Sequence, residues 1–379
     1  MRNDDAHLLC GDDSVWEDRL AEAAHPMQFH FEVEVNHENY SARQATLEAR
    51  RSRLSAAKQD LLQKRLRCEI AAPLKPTSPL PSCLVEIQRT GTRSPFFCVH
   101  PLGGDVLCFF PLARFMGPDH PFFGFQSQGL QDDLEPLTCI EDMASLYARE
   151  IRRIQPDGPI DIGGWSFGGL VAFEMAQQLQ QLGSQIGLLV ILDTTPGMAP
   201  EQLHETRSVG FYEDNRKWLL AIAHYVEGLW GRKLSISESE LQRRTQEEQL
   251  EYFVERLKSI NLMSSNVTLH QLRRLLNVFK SNSRAWCSYV PKPYAGPITL
   301  IRSKEDFGEA VSMVEQAQTS RDMGSFQNDT ALGWGAFSME PVEIVTVPGT
   351  HLTMLAEPNV QVLANRLTTC LDKIVAVAK

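Results

Sequence analysis

The amino-acid sequence predicts an α/β fold with a mainly parallel central sheet, helices on both faces of the sheet and a helical lid insertion. From about residue 93 onward, patterns typical of strands alternate with patterns typical of helices. Such an alternation favours parallel strands whose crossover helices cover both faces of the sheet. The alternation stops over about residues 200–290, where helical patterns follow one another, and this interval predicts a lid above the sheet.

Short apolar runs, separated by polar or glycine-rich segments, predict the strands. Strands of a parallel sheet that is covered on both faces carry nearly continuous apolar residues instead of alternating ones. The predicted strands comprise residues 96–99, 122–125, 159–163, 188–192, 298–301 and 342–347.

Amphipathic periodicity and end signals predict the helices. Thr138 and Glu141 have the spacing of a capping box, which predicts a helix that continues to Ile154. Gly183 predicts the end of a helix over residues 170–182, because glycine tolerates the left-handed conformation that commonly follows a helix. The remaining helical patterns cover about residues 210–230, 238–259, 267–290 and 358–376.

The first 92 residues differ in composition from the rest of the chain. An acidic beginning is followed by a basic stretch at residues 43–67, with a strand pattern at 29–35 and an amphipathic helix pattern at 55–66. Four prolines between residues 73 and 81 predict an extended linker. We therefore expect an N-terminal extension with a proline-rich linker over residues 1–92, a candidate docking segment, and the α/β domain over residues 93–379.

Composition and charge exclude several classes of function. The net charge of −10 argues against a general nucleic-acid binder or a protein that binds anionic membranes. The sequence has no signal-peptide pattern at its start and no apolar run long enough to span a bilayer. Its eight cysteines include no Cys-x-x-Cys pair, which predicts reduced thiols instead of a disulfide framework or a zinc site. We expect a cytoplasmic protein without a resident metal or cofactor.

Residues 164–168 form the most informative motif. They read Gly-Trp-Ser-Phe-Gly, which matches the Gly-x-Ser-x-Gly pattern, with a predicted strand before it and a predicted helix after it. This arrangement predicts a nucleophile elbow, in which Ser166 occupies a strained turn between the strand and the helix. The backbone N–H of Phe167, at the start of the helix, is then a candidate donor to a developing oxyanion.

A serine nucleophile requires a base, most often a histidine, because the pKa of histidine lies near the working pH. In α/β-hydrolases the chain order is serine, acid, histidine. Four histidines follow the elbow, and three of them, His204, His224 and His270, lie in the helical insertion. His351 instead follows a predicted strand directly, at the sheet edge that carries Ser166, and is the predicted base.

The acid that orients the histidine has three candidates. Asp193 ends the strand at residues 188–192, whereas Glu305 and Asp306 follow the strand at residues 298–301. Both positions lie at the carboxyl edge of the sheet, so periodicity does not separate the three carboxylates.

The loop after the first core strand supplies the second predicted oxyanion donor. This loop reads His-Pro-Leu-Gly-Gly-Asp over residues 100–105, and its two glycines let the backbone approach a substrate closely. The Leu102 N–H is therefore the predicted partner of the Phe167 N–H. His100 is interpreted as a structural residue that fixes the loop.

Together these segments resemble the thioesterase domains of nonribosomal peptide and polyketide synthases, a branch of the α/β-hydrolase superfamily. The resemblance covers about residues 84–375. The segments that carry it are residues 98–104, 163–169, 192–193 and 348–351. The spacing between Ser166 and Asp193 is similar to that family as well, and this similarity favours Asp193 as the acid.

The resemblance implies a function and a partner. The substrate would be a peptidyl or polyketide acyl chain, held as a thioester on the phosphopantetheine arm of an acyl or peptidyl carrier protein. Ser166 would take over this chain as an ester, and hydrolysis or macrocyclisation would release it. Two alternatives are an esterase or lipase-type hydrolase of small free esters and a non-catalytic α/β-hydrolase that serves as a binding module.

Overall fold

The computed structural model describes residues 83–131, 133–197, 213–260, 268–305 and 329–377. All of these residues belong to one compact unit. The strand predicted at residues 29–35, the helix predicted at 55–66 and the proline-rich segment lie outside the described residues. The proposed extension therefore stays a prediction.

Seven strands in the described part of the chain form one sheet in the order β1-β3-β2-β4-β5-β6-β7. β1 runs antiparallel to β3, and the other neighbouring strands are parallel. The mainly parallel sheet that the sequence predicts is thus confirmed. The strands are β1 Leu84–Gln88, β2 Phe96–Val99, β3 Phe122–Phe125, β4 Ile160–Trp165, β5 Ile186–Leu192, β6 Thr299–Ser303 and β7 Glu343–Val347.

The edge strand β1 was not among the predicted strands. It lies before residue 93, so the sheet includes residues that were predicted to belong to the N-terminal extension and its linker. An edge strand is only half covered, and β1 accordingly mixes a buried Ile87 with an exposed Glu86. A run this mixed lacks the continuous apolar character that predicts the central strands.

Helices cover both faces of the sheet, as predicted. α1 and α8 pack on one face with Phe96 and Val190 of the strands, whereas α2 and α3 pack on the other face with Phe97 and Ile191. The helices of the described residues are α1 Phe110–Met116, α2 Ile140–Ile154, α3 Phe167–Gln181, α4 Asn215–Trp230, α5 Glu238–Gln242, α6 Gln246–Ser259, α7 Leu269–Ser288 and α8 Asn359–Val377.

The insertion between β5 and β6 is helical, and its described part contains α4 to α7. The sequence pattern over residues 238–259 corresponds to two helices instead of one. Thr245 begins α6 with a capping box, in which its hydroxyl accepts from the Glu248 N–H and the Glu248 carboxylate accepts from the Thr245 N–H. This cap ends the helical run of α5, because the capping residue has an extended backbone.

Two predicted helix ends have different outcomes. The capping box at Thr138 is wrong, because Cys139 is the capping residue of α2 and Thr138 lies one position too early to reach the first turn. The end of α3 at Gly183 is confirmed. Gly183 has a φ of 81°, and the N–H groups of Gly183 and Ser184 donate to the carbonyls of Gln180 and Leu179, both at 2.9 Å.

A buried carboxyl group in β4 makes the stability of the fold depend on pH. Asp161 is 7% exposed, and its Oδ1 finds no hydrogen-bond partner among the described residues. Burial raises the pKa of Asp161 to about 7, against a smaller lowering by the backbone N–H of Leu188. An aspartate in an unfolded chain has a pKa of about 3.9. The folded state therefore retains this proton longer, and the carboxyl destabilises the fold increasingly as the pH rises from about 4 to about 7.

We expect Asp161→Asn to remove this dependence. At pH 8 the variant should exceed the wild type in free energy of unfolding by up to about 4 kcal/mol, and at pH 4 the two should be nearly equal. Urea unfolding at the two pH values measures both differences. Asp157→Asn, at an exposed position in the preceding loop, is the matched control. A gain for Asp161→Asn that is the same at both pH values would contradict the prediction.

Candidate active site

Ser166 occupies the turn between β4 and α3. Its backbone has φ 56° and ψ −129°, a conformation that is strained for a residue with a side chain. The Ser166 N–H donates to the Leu192 carbonyl at 3.0 Å, and the Gly169 N–H donates to the Ser166 carbonyl at 2.9 Å. The predicted strained geometry at this turn is therefore present, and hydrogen bonds to β5 and within α3 hold it.

The two glycines of the motif let β4, β2 and α3 approach each other closely. A Cβ atom on Gly164 would lie 2.0 Å from the Gly168 carbonyl oxygen. A Cβ atom on Gly168 would lie 2.2 Å from the carbonyl oxygen of Val99 in β2. Because both neighbours are backbone atoms, any larger residue would push the elbow out of position.

Asp193 and His351 lie in contact at the carboxyl edge of the sheet. The His351 Nδ1 lies 3.0 Å from the Asp193 Oδ2, and the two side chains are 8% and 1% exposed. Asp193 also accepts from Ser303 of β6 twice, from its N–H to Oδ1 at 2.7 Å and from its hydroxyl to Oδ2 at 2.9 Å. The Asp193 N–H donates to the Ile301 carbonyl at 2.9 Å, so the carboxylate is anchored by its backbone as well as by its oxygens.

The two other candidate acids differ from Asp193 in their placement. Glu305 is exposed, and its backbone N–H donates to the Gly349 carbonyl at 3.2 Å. Asp306 lies outside the described residues. Of the two candidates that the structure describes, Asp193 is the one whose carboxylate contacts His351.

The other histidines after the elbow lie elsewhere or are not described. His270 is on the surface of α7, where its Nε2 lies 3.8 Å from the Asp133 carboxylate. His224 lies on α4, and His204 is outside the described residues. His351 itself stacks on Trp165, the residue before Ser166, with ring centroids 5.1 Å apart.

Of the two predicted oxyanion donors, Phe167 lies at the start of α3 and Leu102 lies in the loop after β2. Phe167 is the first residue of α3, so its N–H has no acceptor within the helix. Leu102 is buried, and the carbonyl of Pro101 before it accepts from the Gly104 N–H at 2.9 Å. The Leu102 carbonyl accepts from Nδ2 of Asn282 at 2.9 Å.

The contact of Asn282 was not predicted from the sequence. Asn282 follows Phe279 by three residues on α7, so a polar side chain occupies the apolar stripe of this helix. This interruption of the stripe was the available signal.

His100 has the environment of a structural residue. Its ring is fully buried, stacks on Phe167 and lies with Nδ1 2.8 Å from the Pro101 carbonyl and with Nε2 2.9 Å from the Tyr147 hydroxyl. Burial lowers the pKa of His100 to about 4, although the Pro101 carbonyl acts in the opposite direction. The ring is therefore neutral at pH 7. A carbonyl can only accept, so Nδ1 donates to Pro101 and Nε2 accepts from Tyr147.

Two aromatic residues of the insertion reach the elbow. Tyr225 of α4 stacks on Trp165 with ring centroids 6.3 Å apart, and Phe279 of α7 packs edge-on against Tyr225 at 5.7 Å. Phe253 and Leu257 of α6 are buried in the hydrophobic core, whereas Trp230 at the end of α4 is exposed.

Two further features bear on binding. In the described ranges, no group of three or more histidine, cysteine, aspartate or glutamate side chains is placed to hold a metal ion. Nor does any helix in those ranges combine the length and apolar character that crossing a membrane requires.

Comparisons with known proteins place the chain in a family. The chain is similar to atromentin synthetase of Tapinella panuoides, with 26% identity over 272 residues, which are 72% of this chain and 26% of the relative. It is also similar to holo-AB3403, a four-domain nonribosomal peptide synthetase, with a TM-score of 0.62 and 28% identity over 76% of this chain and 20% of that one. The chain thus spans about a quarter of the length of atromentin synthetase and of a second, similar synthetase.

The structure of an isolated thioesterase domain also matches this fold. The Vlm2 thioesterase domain aligns with a TM-score of 0.52 and 24% identity over 76% of this chain and 96% of that domain. The α/β-hydrolase fold with its helical insertion is therefore the fold of this chain. The model of the thioesterase domain family matches residues 94–370, from β2 to the last helix. The chain belongs to the thioesterase domain family.

Proposed function

We propose that this chain is a serine thioesterase that releases a peptidyl or polyketide acyl chain from the phosphopantetheine arm of a carrier protein. The family implies a hydrolase that acts on thioesters. The observation that carries the serine mechanism is the buried contact of His351 with Asp193 at the sheet edge where the elbow holds Ser166. The phosphopantetheine arm belongs to the partner, so the enzyme itself needs no cofactor.

In the first half of the proposed reaction, the acyl chain moves from sulfur to Ser166. The Nδ1 of His351 faces Asp193, so Nε2 is the atom that removes the proton from the Ser166 hydroxyl. The serine oxygen bonds to the thioester carbon, and the electron pair of the carbonyl moves to its oxygen. The N–H groups of Leu102 and Phe167 stabilise this oxyanion. The carbonyl then re-forms, the carbon–sulfur bond breaks, and His351 returns the proton to the sulfur.

The second half releases the chain from Ser166. His351 removes a proton from water, or from a hydroxyl or amine further along the acyl chain, and the resulting nucleophile attacks the ester carbon. The carbon–oxygen bond to Ser166 breaks, and the serine recovers its proton from His351. Water yields a free acid, and an internal nucleophile yields a ring. A lid that excludes water favours ring closure.

Asp193 has the surroundings that its proposed role requires. Its carboxylate orients the imidazole and stabilises the positive charge that appears on His351 in each half-reaction. The two hydrogen bonds from Ser303 fix both oxygens, so the carboxylate does not have to reorganise when that charge develops.

A comparison of leaving groups tests the proposed substrate class. We expect N-acetylcysteamine thioesters to exceed oxygen esters of the same acyl group in kcat/KM by at least about tenfold, because the proposed substrate is a thioester and an enzyme discriminates between substrates by their transition states. The same acyl group loaded on a carrier protein should react faster still. Mass spectrometry of the products separates free acid from ring. A preference for the oxygen esters would favour the esterase alternative, and the absence of any turnover would favour a binding module.

A further inference from the structure

Asn282 of the lid helix α7 makes a hydrogen bond that reaches the proposed oxyanion loop. Its side chain is fully buried, and its Nδ2 donates to the Leu102 carbonyl at 2.9 Å. Its Oδ1 is buried too and finds no hydrogen-bond partner within the described part of the chain. A buried amide oxygen without a partner costs free energy of the same order as a hydrogen bond contributes, so it offsets the bond to Leu102 and stability alone does not explain an asparagine at this position.

The hydrogen bonds around Leu102 fix the two peptide planes that meet at its Cα atom. The first plane contains the Pro101 carbonyl and the Leu102 N–H, which point in opposite directions because the peptide is planar and trans. The Pro101 carbonyl accepts from Gly104 and from His100, so this plane is held by the loop itself. The second plane contains the Leu102 carbonyl, and the contact that holds it comes from Asn282.

The packing of α7 places this contact in a tight interface. A Cβ atom on Gly104 would lie 2.4 Å from Cγ1 of Val278, and one on Gly103 would lie 3.2 Å from Cε2 of Phe279. Gly104 thus admits α7 at a distance that a larger residue would prevent, and Gly103 leaves little room for one. Any movement of α7 away from the loop would break the bond between Asn282 and Leu102.

We propose that Asn282 is a positioning residue through which the lid completes the oxyanion hole. With α7 seated on the loop, both peptide planes at Leu102 are fixed and its N–H points at the oxyanion. With α7 displaced, the second plane is free to turn. The bond from the Gly104 N–H to the Pro101 carbonyl closes across this same peptide, so the first plane loosens with it and the Leu102 N–H loses its alignment. The enzyme is then poorly reactive while the lid is open to bulk water. This proposal rests on the serine mechanism proposed above and does not depend on the identity of the acyl group.

Asn282→Leu tests the proposal, because it keeps the volume, removes the donor and also removes the buried oxygen without a partner. We expect kcat to fall by about 10- to 100-fold with a much smaller change in KM, since misplacement of a catalytic group affects the transition state most. An alkyl boronic acid forms a tetrahedral adduct with a serine oxygen and places an oxygen in the hole. Its affinity should fall by the same factor as kcat/KM. The unfolding temperature should change little, because the removal of the buried Oδ1 offsets the loss of the donor to the Leu102 carbonyl.

Rates are to be normalised to the sites that a fluorophosphonate labels after complete reaction, so that misfolded protein does not count. Ser281→Ala, at the adjacent buried position of α7, is the matched control and should match the wild type in all three measurements. Asn282→Asp should be as impaired as Asn282→Leu at a pH at which the new carboxyl group is ionised, because a carboxylate has no proton to donate to the Leu102 carbonyl. Wild-type kcat and boronic acid affinity per labelled site in Asn282→Leu would overturn the proposal.

Different results would contradict the proposed function. A wild-type protein that is labelled at Ser166 but prefers oxygen esters would overturn the thioester assignment and leave the role of Asn282 to be measured with the boronic acid. A wild-type protein that fluorophosphonates and boronic acids do not reach would overturn both proposals.

Discussion

Ser166→Ala is expected to lower kcat for an acyl-thioester by about 10⁴- to 10⁶-fold, the order of magnitude by which loss of the nucleophile disables a serine hydrolase. The substitution removes the oxygen that forms the acyl-enzyme and leaves the oxyanion donors in place. Alanine has the same Cβ atom as serine, so the strained turn, with its φ of 56°, imposes a similar demand on the backbone. Thermal unfolding should therefore be close to that of the wild type.

Labelling gives an independent measurement of the same assignment. A fluorophosphonate should modify the wild type at Ser166 and leave Ser166→Ala unmodified, as read by mass spectrometry of the peptides. Ser184→Ala, at the other end of α3, is the control and should retain both turnover and labelling. Substantial turnover in a folded Ser166→Ala protein would show that another residue is the nucleophile.

Asp193→Asn is expected to cost about 10⁴-fold in kcat, because the new amide would select the wrong tautomer of His351. The Ser303 N–H donates to Oδ1 of Asp193, a position that only an acceptor can fill. The amide oxygen of the asparagine therefore takes the place of Oδ1, and its NH₂ group faces Nδ1 of His351. That nitrogen must then accept, which puts the proton on Nε2 and prevents His351 from accepting the proton of Ser166.

Two other substitutions control for the loss of negative charge. Glu305→Gln and Asp306→Asn, at the alternative positions for the acid, should keep kcat/KM within a few-fold of the wild type. Ser303→Ala should have an intermediate effect, because it removes one of the two contacts from Ser303 to the carboxylate and leaves the backbone N–H. If Glu305→Gln or Asp306→Asn strongly lowered kcat/KM while Asp193→Asn left it close to the wild-type value, the assignment of the acid would be wrong.

The choice between Asp193 and the two later carboxylates shows what the sequence could predict. Both positions follow apolar runs, so local pattern alone identified them equally well as ends of parallel strands. The contact with His351 depends on the register of β5 against β6, which pairs Leu192 with Ile301. Register is set by packing between distant segments, and the continuous apolar runs of two central strands lack the alternation of polar and apolar residues that would indicate one register in the sequence.

The motif around Ser166 was easier to predict, because its requirements are local. A sharp turn needs small neighbours within a few residues, and a helix that follows directly supplies the N–H of Phe167. β1 and the contact of Asn282 were missed for the opposite reason. The short edge strand depends on β3 to pair with it, and the buried amide depends on a carbonyl 180 residues away in the chain.

The position of the insertion has a consequence for how such enzymes diversify. The chain leaves the sheet after β5 and returns in β6, and Asp193 at the exit is hydrogen-bonded to Ile301 and Ser303 at the return. The exit and the return are therefore neighbours, and the segment between them can change in length or sequence without moving the strands that carry Ser166, Asp193 and His351. Changes in this segment can therefore alter which substrate is bound without altering the positions of these three residues. Under our proposal for Asn282, any new segment between β5 and β6 must still supply a hydrogen-bond donor to the Leu102 carbonyl.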